Sequence, residues 1–123
     1  RENKSYENFQ DKYENIISNC ELYAIDEKYR VAVAHAIKLL LLDIEKSNNI
    51  KVGDNYIPVQ IAKNDIRRLN FFVIEHAINK FKESSRLRQI RNPLGYLKVL
   101  IYNSINEIDV DMDSKLRYED LIE

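Results

Sequence analysis

Two prolines and two glycines are all that punctuate the 123 residues, and they fall in two places: Gly53 with Pro58, and Pro93 with Gly95. These are the residues that most strongly end or bend a helix, so long stretches between them are open to continuous helix. The apolar spacing agrees. Tyr6, Phe9, Tyr13, Ile16 and Ile17 recur at three and four within a polar segment from Asn3 to Glu21, which predicts a helix with one buried stripe. Asp26 reads as the N-cap of the strongest helix, Glu27 to Lys46. Its Val31-Ala32-Val33-Ala34 and Leu39-Leu40-Leu41-Leu42 runs are apolar nearly all round, which predicts packed neighbours on most sides and the centre of the fold.

The punctuated places read differently. In "NNIKVGDNYIPV", Ile50 and Val52 alternate with Lys51, and Gly53-Asp54 separates them from Tyr56-Ile57. A two-residue turn with glycine first suits the mirror-image turns of hairpins, so a small β-hairpin is expected. Pro58 then stands at a helix start, with Val59, Ala62, Ile66 and Leu69 on one face. Asn70 is the expected cap of the next helix, where Phe71, Ile74, Ile78 and Phe81 share a face. Ser84 to Arg91 lacks such a stripe and reads as a loop. Asn92 and Pro93 then open a last helix whose buried face is Leu94, Leu97, Leu100, Ile101, Ile105 and Ile108. Gly95 in its first turn costs about 1 kcal/mol against alanine, which predicts close approach by another backbone.

The length fits one domain with a real core, and a 32% charged, 45% hydrophobic composition excludes a disordered chain. Net charge is only -1, but its distribution is uneven. From Gln60 to Lys98 there are nine Lys/Arg against Asp65, Glu75 and Glu83; from Asn106 onward seven acids face Lys115 and Arg117. That pattern predicts a polar partner for the basic middle, or contact between middle and tail. Cys20 is the single cysteine, so no internal disulfide forms and a reducing compartment is expected. No apolar run is long enough to span a membrane. The chain opens at Arg1, as a piece of a longer protein would.

Enzyme signatures are missing: no glycine-rich phosphate loop, no nucleophile elbow, no paired metal-ligand spacing. No catalytic, cofactor-binding or metal-binding residue is therefore assigned. His35, His76 and Cys20 read as packed or rim residues. In "DVDMDSKLRYED", Asp109, Asp111, Asp113 and Asp120 echo a calcium loop, but Ser114 replaces the turn glycine, so residues 109–123 read as an acidic tail. A helix-turn-helix that presents His76, Asn79, Lys80 and Lys82 to DNA is disfavoured by the apolar start Phe71-Phe72-Val73-Ile74. The best candidate for binding is Arg86, Arg88, Arg91 and Lys98 with Tyr96 and Tyr102, flanked by Lys80 and Lys82. Arginine neutralises phosphates or forks onto carboxylates, and tyrosine stacks on exposed bases.

Two stretches, "IKVGDNYIPVQIAKNDIRRLNFFVIEHAINKF" and "IRNPLGYLKVLIYNSI", together resemble the C-terminal domain of RepA-type replication initiators from plasmids and mobile elements of Firmicutes. That family carries a similar hairpin, a similar helix entry and an ending I-R-N-x-x-x-Y-L-x-x-x-L-Y-N. Ile90, Arg91, Asn92, Tyr96, Leu97, Ile101, Tyr102 and Asn103 match that ending. The likeness spans Ile25 to Ile108. More distantly, the last two helices resemble the DnaD/DnaB-type domain of helicase-loading proteins, with Tyr96 and Leu100 in place but Ser104 where that signature has tryptophan.

The resemblance implies an all-α, DnaD-like compact domain of about five to six helices with one small hairpin. It implies a non-enzymatic, cytoplasmic module at the C-terminus of a longer initiator, 1–123 being one domain, which recruits a host replication protein to the origin. Primase or a helicase loader is the expected partner, and self-association is left open. The alternative is a module that binds single-stranded or non-specific DNA.

Overall fold

The computed structural model describes residues 2–122, with side chains for residues 8–110 and 116–118. Tyr6, Asp111, Asp113, Asp120, Leu121 and Ile122 carry sequence expectations whose side chains lie outside that set. The fold is mainly helical, as expected. Among the described residues it has five α-helices, a short 3-10 turn and one two-stranded antiparallel hairpin.

Helix α1 (Glu2–Cys20) lays Ile16 and Cys20 into the core, with Phe9, Tyr13 and Ile17 packed at its edge. It ends at Glu21, whose φ of 48° is left-handed, the conformation that glycine usually supplies after a helix. A 3-10 turn (Leu22–Ala24) leads to α2 (Glu27–Lys46). Asp26 caps α2 as its spacing predicts, accepting from the Lys28 N–H at 3.1 Å. That N–H, with Lys82 alongside, holds the Asp26 carboxyl below the usual range. Val33, Ala36, Ile37, Leu40, Leu41 and Ile44 of α2 are buried. The helix is not enclosed all round, however: Val31 is 82% exposed and shares an outer stripe with His35 and Lys38.

Strands β1 (Asn49–Val52) and β2 (Asn55–Pro58) pair in the register Ile50 to Ile57 and Lys51 to Tyr56. Gly53 takes φ +62° and is the sole residue of the turn with positive φ, the pattern of a type II′ hairpin turn. Ile50 and Val52 point inward. Pro58 is at once the last strand residue and the N-cap of α3 (Val59–Ile66). Helix α3 buries Ala62 and Ile66, and Leu69 follows them into the core.

Asn70 caps α4 (Phe71–Leu87) by accepting from the Val73 N–H at 3.0 Å. This helix runs further than its apolar stripe. Ser84 to Leu87 form its last turn, so the expected loop shrinks to residues 88–92. The reason is polar. The Ser84 hydroxyl lies 2.8 Å from the Tyr96 hydroxyl across the helix pair, and Ser85 donates to the Phe81 carbonyl at 2.8 Å. Hydrogen bonds do there what a leucine would otherwise do.

Helix α5 (Pro93–Ile122) packs against α4, α2 and α3 through Leu97, Leu100, Ile101, Tyr102 and Ile105. The acidic tail is thus no separate element; it is the second half of α5. A helical backbone through residues 109–122 has no place for the sharp turn of a calcium loop.

Gly95 answers to a different cause from the expected backbone approach. Asn92 caps α5 by accepting from the Gly95 N–H at 3.1 Å, and a Cβ on Gly95 would lie 2.5 Å from the Asn92 Nδ2. The glycine makes room for the cap of its own helix.

Two outcomes are expected. Leu40, 1% exposed, sits where truncation leaves a cavity, so Leu40→Ala costs about 2–5 kcal/mol by chemical denaturation. A loss typical of surface changes, below about 0.5 kcal/mol, would place the core elsewhere. For Gly95→Ala, a gain of about 1 kcal/mol in helix propensity is offset by a disturbed cap worth about as much. The same change in an Asn92→Ala background has no cap left to disturb and stabilises by about 1 kcal/mol. Melting curves of the four proteins check this, and equal effects in both backgrounds would break the coupling.

Candidate functional site

The eight residues singled out from the sequence divide in two. Lys80 lies 3.1 Å from Glu107 of α5, and Lys82 lies 3.3 Å from Asp26 and 5.5 Å from the Tyr29 ring centroid. Lys98 reaches Asp43 of α2 at 2.8 Å. Tyr102 is 3% exposed and donates to Asp65 at 2.5 Å. These four knit helices together. Tyr102 in particular offers no face for a base or a partner. Burial, then the Asp65 hydrogen bond and charge, push its phenol above the ordinary tyrosine range.

The same knitting joins the basic middle to the acidic half of α5. Arg68 pairs with Asp65 at 3.1 Å and Asp109 at 3.7 Å, and also donates to Asn106. His76 stands 3.8 Å from Glu107. The face of α4 that carries His76 and Lys80 therefore turns toward α5, which removes it from the helix-turn-helix reading. Asn79 alone of that set is exposed with no side-chain hydrogen bond among the described residues.

Arg86, Arg88, Arg91 and Tyr96 come together at the corner where α4 turns into α5. Arg86 lies in the last turn of α4, Arg88 is its C-cap and Arg91 sits just before α5; all three are exposed. Among the described residues none of the three has a carboxylate partner. The Arg88 guanidinium lies 5.4 Å from the Tyr96 ring centroid, an attraction worth about 0.5–1 kcal/mol when exposed. Tyr96 is itself fixed: half-buried, hydroxyl on Ser84, ring tilted against Phe81 at 6.1 Å between centroids. A shallow hollow of about 380 Å³ opens between them, lined by Arg88, Ile90, Arg91, Gly95, Tyr96 and Val99. The hairpin borders it, since a Cβ on Gly53 would meet Val99 at 3.8 Å.

Leu87, between Arg86 and Arg88, is 81% exposed and adds an apolar prong that sequence reasoning passed over. The signal was there: Leu87 falls out of register with Phe71, Ile74, Ile78 and Phe81, so it cannot share their buried face.

The remaining expectations resolve simply. Cys20 is fully buried and its thiol is pushed up to about 12 by burial, which leaves it without thiolate at neutral pH. His35 is exposed and His76 half-buried. Ser104 is fully buried, its hydroxyl without a partner among the described residues, so no exposed aromatic occupies that position of α5. Among the described residues no three acidic, histidine or cysteine side chains gather to hold a metal ion, and no helix is long and apolar enough to cross a membrane.

No protein-family model, no curated protein and no solved structure matches this chain.

Tyr102→Phe tests the division of the eight residues. Losing the buried phenol bond is expected to cost about 1–2 kcal/mol of stability, because Asp65 keeps Arg68 as a partner. Binding by the corner is expected to stay at its wild-type level in a titration read beside the melt. Weakened binding at unchanged stability would restore Tyr102 to the surface.

Proposed function

We propose that this chain is a non-enzymatic replication-initiation module, similar to the C-terminal domain of RepA-type initiators, that docks a host replication protein through the α4–α5 corner. On this reading it works in the cytoplasm as the C-terminal part of a longer initiator, and primase or a helicase loader is the partner.

One observation carries the proposal: three arginines without carboxylate partners among the described residues surround an exposed leucine and a fixed tyrosine, while other cations of the basic middle, Arg68, Lys80, Lys82 and Lys98, are neutralised within the fold. Exposed ion pairs contribute only about 0–1 kcal/mol each, so the corner charges are not needed for folding. Interfaces favour arginine and tyrosine around an apolar centre, and the corner has that composition.

DNA is the second reading, because unpaired arginines also suit phosphates. The state of Tyr96 favours protein over DNA. Its hydroxyl is engaged by Ser84 and Arg88 lies over its ring, so the stacking platform that single strands need is already occupied.

Arg86→Glu with Arg88→Glu is expected to melt like the wild type and to lose partner binding by about tenfold or more, since like charge across an interface is costly. Capture from nuclease-treated host lysate, followed by titration with purified primase and with single-stranded DNA, separates the readings. Saturable binding to the protein without DNA supports docking, and binding to DNA alone with a steep salt dependence supports the second. Wild-type affinity of the variant for both ligands would overturn both.

A further inference from the structure

The hollow at the α4–α5 corner has a polar lining of one kind. Among the described residues no Asp or Glu lines it, and its charged walls are Arg88 and Arg91. Asn92 adds to this bias. Its Oδ1 accepts from the Gly95 N–H at 3.1 Å, so the end of the amide left without a hydrogen bond among the described residues is the Nδ2 donor. That Nδ2 lies over Gly95, 2.5 Å from where a Cβ would stand, in a seat that any side chain at position 95 would contest. A guanidinium has donors and no acceptor. Three side chains of the hollow therefore offer donors, and the fitting ligand is one rich in acceptors.

The apolar lining narrows the class further. Ile90 and Val99 are half-buried in the wall, and Leu87, one residue before Arg88, is 81% exposed. These are aliphatic surfaces, which gain by covering an aliphatic side chain. Phosphates offer acceptors without one. The apolar surface of a single strand is its base faces, which stack on aromatic rings. The ring that lines the hollow is Tyr96, and the Arg88 guanidinium already lies 5.4 Å from its centroid. An acidic peptide brings acceptors and aliphatic side chains together, and arginine meets a carboxylate with two parallel N–H donors.

Resting on the docking reading above, we propose that the partner meets this corner through an acidic peptide segment in which one aliphatic side chain is flanked by carboxylates. The aliphatic side chain enters the hollow against Ile90 and Val99. A carboxylate on one side of it takes Arg91 with the Asn92 amide, and a carboxylate on the other side takes Arg88. Arg86 lies in the last turn of α4 and outside the hollow lining, so it steers approach rather than holding the segment. Gly95 then serves the surface as well as the cap, because it keeps the Asn92 amide at the floor of the hollow.

Fluorescence anisotropy on the whole chain tests this with a synthetic peptide, a leucine flanked on both sides by glutamates. The peptide is expected to bind saturably and to displace purified primase. A version with glutamines for the glutamates, and another with serine for the leucine, are each expected to bind about tenfold more weakly. Arg91→Gln is expected to weaken the acidic peptide about tenfold with an unchanged melt. An acidic peptide that fails to bind overturns the proposal. So do equal affinities for the glutamate and glutamine peptides, or for the leucine and serine ones, and so does indifference to Arg91→Gln. Primase that binds through the corner beside any of these results leaves the docking reading standing, so the two fail separately. Acidic-peptide binding without primase binding supports the acidic segment and overturns primase as its owner. Oligothymidylate that binds more tightly than the acidic peptide, and weakens in Arg91→Gln, gives the corner to single strands and overturns both.

Discussion

The first half of α5 is the interaction on which the other elements depend. Leu97, Leu100, Ile101, Tyr102 and Ile105 span more of the helix circumference than one neighbour can cover. Burial of one large apolar side chain stabilises by about 1.5–3 kcal/mol, so leaving any side of this surface wet is expensive. Helix α4 covers one side, returning antiparallel through residues 88–92, and α2 covers another. Helix α3 closes the third, where the Tyr102 hydroxyl and Arg68 both bond Asp65. The hairpin has little core of its own. It is held because Ile50 and Val52 are buried and the Val59 N–H donates back to the Asn48 carbonyl at 2.9 Å.

Covering α5 in this way also sorts the charges. Lys98 to Asp43, Lys80 to Glu107 and Arg68 to Asp109 each reach an acid on a neighbouring helix, so these cations are matched across the packing. Arg86, Arg88 and Arg91 lie beyond the reach of those acids because the chain reverses at that point. The uneven charge in the sequence thus has two fates, set by geometry. Four of the nine cations of the basic middle are spent on the fold, and the corner gathers three of the others.

Much of this was legible. The caps Asp26 and Asn70, the α2 boundaries and the hairpin with its turn all rest on local chemistry, which the sequence carries in full. What was hidden depended on a partner distant in sequence. The last turn of α4 needs Tyr96 to engage Ser84, and no stripe announces a hydrogen bond. Tyr102 stands one residue past Ile101, at the edge of the apolar stripe, and a tyrosine there is equally suited to a rim; its burial follows from α3, which the periodicity of α5 does not encode. Val31 errs the other way, apolar in sequence yet solvated on the outer stripe of α2. At the corner, the arginines were visible in sequence, and their lack of carboxylates among the described residues was not.

Helix dipoles sharpen the distinction between charges that serve the fold and charges that do not. Arg86 and Arg88 close α4, where a cation complements the negative helix end by about 0.3–1 kcal/mol, so part of their placement is structural. Arg91 has no such reason. It stands beside the N-terminus of α5, whose positive end disfavours a cation. The far end of α5 repeats the conflict with the sign reversed: Glu119 and Asp120 fall in its last turn, which contains no basic residue. Both ends of one helix therefore carry the charge its own dipole opposes. An anionic group seated beside Arg91 would gain from the arginine and from the positive end of the α5 dipole together, which turns the local cost into attraction. The charges that the fold itself disfavours are those that a second molecule would stabilise.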